Sequence, residues 1–273
     1  MKFSVLMSVY KNENPIYFRR AMDSVLQQTL QPSEIVLVRD GVVPDELQSV
    51  IDEYVEQYPI IKYCPLEKNV GLGNALNIGL QQITYEIVAR MDTDDICIPE
   101  RFEKQIRFLK ENPDIAVVGG QIVEFYDEES NITAKREVPL SDKQIKTFLK
   151  KRNPFNHMTV TFRKNSVLAI NGYEELHFLE DYYLWCRLSQ AGVSFANLNE
   201  VLVFVRTNED MYRRRGGWAY FQSFRRLEKY KKRVGLINVF EYWKMMSIRF
   251  LQAVLPNRIR QWVYMRFERK RVR

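Results

Sequence analysis

Five short apolar runs, at residues 4–9, 34–38, 60–64, 86–91 and 115–118, alternate with stretches whose apolar residues recur at helical spacing. Strand and helix in regular turn build βαβ units. Such units imply an α/β fold with a mainly parallel central sheet and helices on both faces. Asn14-Pro15 is a helix start, with Asn14 as cap and Pro15 in the first turn, and Tyr17, Ala21, Ser24, Val25 and Gln28 follow at helical spacing. Pro44 opens a second helix that ends before Pro59. In open sheets of this kind ligands lie beyond the carboxyl ends of the strands. The residues just past those ends are Tyr10, Asp40-Gly41, Asn69-Val70-Gly71 and Asp92 to Asp95, so four polar clusters converge on one edge.

One cluster needs a chemical reason. The run Ile87-Val88-Ala89-Arg90-Met91 stops abruptly at Asp92-Thr93-Asp94-Asp95, where three carboxylates repel one another. A divalent cation would hold them together, and hard oxygen ligands suit Mg²⁺ or Mn²⁺ carrying the phosphates of a nucleotide. The same residues also read as an acidic loop before a helix, with Asp95 as a near-terminal cap ahead of Pro99. Asp40-Gly41 likewise reads as a turn, and Tyr10 as the edge of a core.

From about residue 127 the alternation weakens. A polar helix at 141–151 leads into Asn153-Pro154-Phe155-Asn156-His157 and a strand-like segment at 158–163. Glu180-Asp181 then opens an amphipathic run at 182–190. Acidic residues favour a helix amino terminus, so the pair is either a charged first turn or a general base beside the nucleotide site.

The 273 residues, 46% of them hydrophobic, suffice for one large domain or a core domain with an appendage. Lys2 is followed by a short run and then by Lys11, Asn12 and Glu13, which reads as a first strand, so the mature chain is expected to start here. Three cysteines without paired spacing suggest neither a disulfide framework nor a zinc site, and a reducing cytosol fits best. The net charge of +7 conceals an asymmetry: residues 213–273 carry 18 Lys and Arg against 3 acidic residues, a net of +15, and the remainder is −8. Nucleic acid and anionic membrane are the usual partners of such a segment.

Within the tail, Leu236, Val239, Trp243, Met246, Phe250 and Val254 repeat at helical spacing, with Asn238, Glu241, Lys244, Arg249 and Gln252 on the other side. Charges interrupt this amphipathic helix too often for a membrane span, which needs about 20 mostly apolar residues. Residues 258–273 add Trp262, Tyr264 and Phe267 among seven basic residues, which suits an anionic membrane interface. A helix lying against the rest of the chain is the structural alternative.

The order of these pieces resembles the inverting glycosyltransferases of family 2, which have a nucleotide-binding GT-A fold. The resemblance covers roughly residues 1–207. It rests on Ser8-Val9-Tyr10-Lys11-Asn12, Asp40-Gly41, Asn69-Val70-Gly71 through Asn77-Ile78-Gly79, Asp92-Thr93-Asp94-Asp95 and Leu179-Glu180-Asp181. It is strongest to the bacterial enzymes that build capsule, exopolysaccharide or lipopolysaccharide side chains. The Gln-x-x-Arg-Trp motif of processive members is absent, which implies transfer of a single sugar.

The resemblance implies a metal-dependent inverting hexosyltransferase, peripheral on the cytoplasmic face of the inner membrane. A UDP-sugar is the favoured donor and a saccharide or lipid-linked saccharide the acceptor. Residues 1–210 would form the GT-A domain, with a nucleotide-sugar half at 1–125 and an acceptor half at 126–210, followed by a basic helical extension at 211–273. By similarity Asp94 binds Mn²⁺ or Mg²⁺, and Asp92 holds the ribose or shares the metal. Asp40 accepts a hydrogen bond from the base; Val9, Tyr10 and Glu13 shape the base and ribose pocket; Asn69, Gly71 and Asn77 complete the nucleotide-sugar site. Asp181 is the base, with His157 as a competitor that reads more readily as a structural histidine. Arg213, from the run 213–215, either contacts phosphate from a loop over the diphosphate or begins the basic tail.

Two other classes remain. Sugar-phosphate nucleotidyltransferases usually carry a glycine-rich basic loop after the first strand, and residues 10–15 contain no glycine. A nucleic-acid-binding module using the tail would leave the acidic clusters unexplained, so no nucleic acid partner is expected.

Overall fold

The protein is described by a computed structural model covering residues 1–207 and 217–255. Arg213, Trp262, Tyr264 and Phe267 lie outside the described residues. The first half runs β1 (Phe3–Val9), α1 (Pro15–Leu26), β2 (Glu34–Arg39), α2 (Asp45–Gln57), β3 (Ile61–Pro65), α3 (Leu72–Gln82), β4 (Ile87–Arg90), β5 (Ile96–Cys97), α4 (Arg101–Glu111) and β6 (Ile115–Phe125). The second half runs β7 (Ile132–Arg136), α5 (Asp142–Leu149), a 3-10 turn (His157–Thr159), β8 (Thr161–Arg163), α6 (Lys164–Leu168), α7 (Glu180–Gln190), β9 (Ser194–Arg206), α8 (Gly217–Arg233) and α9 (Val239–Val254).

Helix starts follow the capping chemistry. Asn14 Oδ1 accepts from Ile16 N at 2.8 Å to open α1, and Pro15 occupies the first helical position, where its missing N–H costs nothing. Ser141 and Gln144 close a reciprocal capping box on α5, as do Asn238 and Glu241 on α9.

Among the described residues nine strands form one sheet in the order β3-β2-β1-β4-β8-β6-β9-β5, with β7 on β6. The α/β architecture and the helices on both faces are as expected, and the sheet is mixed. Strands β3, β2, β1 and β4 are mutually parallel, as are β6 and β9. Strand β8 runs against both β4 and β6, and β5 runs against β9. The chain reverses at the 3-10 turn and re-enters the sheet in the opposite sense. With three residues in β8 and two in β5, neither is long enough to display a two-residue period.

Alternate residues of the central strands supply two cores. Phe3, Val5, Met7 and Val9 of β1 join α1, α2 and α4 on one face, whereas Leu6 joins α3, α5 and α7 on the other. Burial on both faces explains why these strands read as unbroken apolar runs. Helix α3 lies so close to the sheet that a Cβ on Gly79 would stand 2.5 Å from Leu6 Cδ1 and 2.7 Å from Val38 Cγ2.

The basic segment does not stand apart from this body. Phe224 and Leu227 of α8 are buried in the same core as α7, and Lys231 and Glu228 beside them are both 0% exposed. Helix α9 then covers α8 through Tyr242, Met245 and Met246. Of the apolar face expected for this helix, Met246 is buried, but Val239, Trp243, Phe250 and Val254 are exposed.

Candidate active site

The carboxyl ends of β1, β2 and β4 assemble the polar edge. Just past β2, Asp40 is buried and its carboxylate organises the loop that starts α3. Oδ1 accepts from Val70 N at 2.7 Å, and Oδ2 accepts from Asn69 Nδ2 at 2.9 Å and from Gly71 N at 3.1 Å. Gly41 makes this approach possible: its φ is +85°, and a Cβ there would stand 2.6 Å from Asn69 N. Three donors leave room for about one more on this carboxylate, which is what a nucleobase N–H requires. The side chain of Val9 is buried in the core, so its backbone is what faces the edge, and Tyr10 beyond it is 38% exposed.

Arg90 ends β4 and is buried beneath the acidic strip. Its Nη2 pairs with Asp92, while Nε and Nη1 have no hydrogen-bond partner among the described residues. Thr93 Oγ1 donates to Glu13 Oε2 at 2.6 Å, and Asn14 N donates to Glu13 Oε1 at 2.9 Å, which ties the strip to the start of α1. Burial holds the Glu13 carboxyl above its usual range. Asp95 accepts from Arg206 N at 2.9 Å and so fastens the strip to β9; it does not cap α4, whose N-cap position is Glu100.

Carboxylate oxygens of Asp92, Asp94 and Asp95 lie within 4.8 Å of one another. Burial first, then the charges of Asp92 and Glu13, push Asp94 up to about 7. Asp95 is raised for the same reasons, burial first and then the charges of Asp94 and Asp92. Arg90 offsets only part of this repulsion. An all-oxygen set with uncompensated negative charge fits a divalent cation of the Mg²⁺ or Mn²⁺ kind.

The second acidic pair sits in the first turn of α7. Asp181 Oδ2 accepts from Asn153 Nδ2 at 2.6 Å, and Oδ1 accepts from Tyr182 N at 2.6 Å. Burial raises the Asp181 carboxyl, while those two hydrogen bonds, then Arg136 and Arg90, oppose the rise. Burial and the adjacent Asp181 push Glu180 up to about 7, and both Arg90 and Asp92 act on it. The two acidic groups, distant in sequence, therefore share one buried guanidinium.

His157 is buried, with Nε2 2.9 Å from Tyr173 Oη, and burial depresses its pKa well below the ordinary value. It is a neutral structural residue. Asn77 is committed in both directions to Tyr173: Nδ2 donates to its carbonyl at 2.5 Å and Oδ1 accepts from its N–H at 2.7 Å. That clamp fixes the segment leading to Glu180.

Sequence reasoning passed over two contributors. Arg90 carried a readable signal, since a charge inside an otherwise apolar strand must find a counter-charge. Asn153 carried none, because its partner lies 28 residues away.

Comparison with known proteins gives the family. The profile described as Glycosyl transferase family 2 matches residues 4–171. The amylovoran biosynthesis glycosyltransferase AmsE of Erwinia amylovora is 43% identical over 96% of this chain and 97% of its own length. The UDP-Gal:alpha-D-GlcNAc-diphosphoundecaprenol beta-1,3-galactosyltransferase of Escherichia coli is 35% identical over 98% of this chain and 97% of its own. In fold, the mannosyltransferase PcManGT of Pyrobaculum calidifontis, solved with GDP-Man and Mn²⁺, superposes with a TM-score of 0.65 at 14% identity, covering 93% of this chain and 70% of that one. The chain belongs to glycosyl transferase family 2, among enzymes that use nucleotide sugars to build bacterial polysaccharides.

Proposed function

We propose that this protein is a metal-dependent, inverting hexosyltransferase that moves one sugar from a UDP-sugar to a lipid-linked saccharide at the cytoplasmic membrane surface. The observation that carries the reading is buried Arg90, which pairs with Asp92 and whose charge also acts on Asp94 and Asp181. The parts then have distinct tasks. Asp40, Tyr10 and the 69–71 loop receive the base and ribose. Asp94 and Asp92 would hold Mg²⁺ or Mn²⁺, which supplies charge neutralisation for the departing diphosphate.

Asp181 takes the proton of the acceptor hydroxyl as its oxygen attacks the anomeric carbon. The new C–O bond forms on the face opposite the breaking bond to the diphosphate, which leaves with the electron pair. Inversion follows, and an α-linked donor yields a β-glycoside. A base raised by burial above its ordinary value, yet held as a carboxylate by Asn153, is a better proton acceptor than an exposed aspartate. The Escherichia coli relative's name specifies UDP-Gal, a diphosphoundecaprenol-linked acceptor and a β linkage, and at 35% identity it supports the same classes here.

The test is a thermal-shift panel of UDP, dTDP, GDP and CDP, each with Mn²⁺, Mg²⁺ or EDTA. UDP with metal is expected to stabilise by about 2.7 kcal/mol at 100 times its dissociation constant. No shift with any nucleotide would refute the reading. Asp181→Asn is expected to abolish transfer with UDP affinity unchanged, because the lost group acts only in the transition state. Weaker UDP binding by calorimetry would remove Asp181 from this role.

Membrane association is supported by α9. Phe240 is 88% and Trp243 63% exposed, beside exposed Leu251 and Val254, and this aromatic and aliphatic face precedes the basic residues 258–273. No helix among the described residues is long and apolar enough to cross a membrane. Replacing Phe240 and Trp243 with serine should abolish pelleting with anionic vesicles, and unchanged pelleting would sink this part.

A further inference from the structure

A cavity of about 420 Å³ opens between α7, α8 and the segment that leads to the catalytic base. Its size falls in the range of small-ligand sites. One wall is a single face of α8, where Arg226, Lys229, Tyr230 and Arg233 follow one another at helical spacing. The opposite wall is Tyr183, two residues beyond Asp181, with Glu174 and Glu175. The rings of Tyr183 and Tyr230 meet edge to face, with centroids 4.8 Å apart, and present apolar surface with two hydroxyls.

The charge in this cavity is unbalanced. Glu174 is already engaged by Arg187 Nη2 at 3.0 Å, so Glu175 is the carboxylate left to face three cations. Arg226 and Lys229 have no ion-pair or hydrogen-bond partner among the described residues, and Arg233 lies over the Tyr230 ring at 5.5 Å. None of the three is buried or serves the core. Three cations spread along about 10 Å of helix suit an anion with more than one charged centre. Guanidinium forks and an ammonium match phosphate oxygens in particular.

We propose that this cavity is a subsite that receives a diphosphate group, that of the acceptor rather than that of the donor. The inference rests on the glycosyltransferase reading above and adds to it the contact that selects the acceptor. The arrangement separates the two anions of the reaction: the donor diphosphate belongs to the strand edge at Asp92 and Asp94, and the acceptor diphosphate to α8.

The test compares the full-length protein with an Arg226→Gln/Lys229→Gln/Arg233→Gln variant, both saturated with UDP and Mg²⁺ so that the donor site is filled. Farnesyl diphosphate and inorganic pyrophosphate are titrated by calorimetry, and phosphatidylglycerol vesicles are pelleted separately. The variant is expected to bind farnesyl diphosphate at least about tenfold more weakly, with its UDP-induced thermal shift intact. An equal loss for pyrophosphate would show that the phosphates carry recognition, and a loss confined to farnesyl diphosphate would show a lipid-borne group. Glu175→Gln should tighten binding of either probe. Unchanged binding of farnesyl diphosphate by the triple variant, or a defect limited to vesicle pelleting, would overturn the proposal. Absence of a UDP shift in the unmodified protein would instead count against the glycosyltransferase reading.

Discussion

Lys231 on α8 is the most consequential residue outside the polar edge. It is 0% exposed, and its Nζ donates to Glu228 Oε1 at 2.8 Å, to the Lys150 carbonyl at 2.8 Å and to Tyr182 Oη at 3.3 Å. Tyr182 Oη in turn donates to the Leu149 carbonyl at 2.6 Å, so one ammonium joins α8, the end of α5 and the helix that carries Asp181. Lys231→Met keeps most of the aliphatic stem and removes the charge. Glu228 then loses its hydrogen-bonded counter-charge and keeps only the weaker pull of Arg249, and its Oε2 has no partner among the described residues even in the intact protein. Breaking a buried pair from one side costs about 3–5 kcal/mol, a large part of a typical domain's stability. For a chain of this length that predicts a fall in Tm of about 6–20 °C. Burial already raises the Glu228 carboxyl. In the variant it rises further, so the deficit should shrink as the pH falls and Glu228 takes up a proton.

Urea titrations followed by circular dichroism measure the effect, and a double-mutant cycle isolates the pair. Lys231→Met/Glu228→Gln should lose less than the sum of the single variants, with a coupling energy of at least about 1 kcal/mol. Because Tyr182 adjoins Asp181, the single variant should also lower kcat while UDP affinity stays near normal. A deficit below about 1 kcal/mol, or strict additivity, would refute the idea that α8 is latched into the catalytic body. In that event truncation after residue 210 should leave a stable enzyme; the ion pair predicts that it does not.

Three further outcomes follow from the site. Asp94→Asn should keep the fold but lose the part of the UDP thermal shift that depends on Mn²⁺, and a shift as large as in the unmodified protein would show that Asp94 holds no metal. Glu180 keeps its proton to about 7 in the folded state against an ordinary 4.5. Its contribution is therefore fully present below pH 4.5 and lost as the pH rises through 7, up to about 3 kcal/mol. Urea titrations in EDTA should show that decline in the unmodified protein and a flatter profile in Glu180→Gln. Asn153→Ala should lower kcat and raise the acidic limb of the kcat profile, because the hydrogen bond to Asp181 stabilises the carboxylate; an unmoved profile would make Asn153 merely structural.

What the sequence could disclose divides along the length of the interactions. The strands β1 to β4 declare themselves because both of their faces are buried, and Asn14 and Ser141 declare helix starts because capping is settled within three residues. The acidic strip is legible because Asp92, Asp94 and Asp95 are neighbours in the chain. Its electrostatic environment is not, since Glu13 reaches it through Thr93, 80 positions away, and Asp95 is held by Arg206 across 111. The tail shows the same division. Its charge and helical period were readable, yet the period alone left open whether the side carrying Trp243, Met246 and Phe250 meets the body or faces outward, and the structure buries Met246 while leaving Trp243 and Phe250 exposed. Helix α9 is apolar around more of its circumference than a helix resting on one neighbour needs, so its apolar period cannot choose the side. The choice is made by α8, where Phe221 meets Tyr242 and Met246, and α8 is itself fixed by Lys231 reaching back to the end of α5. The buried ion pair thus decides which aromatic residues face outward, and through them what the C-terminal helices can dock against.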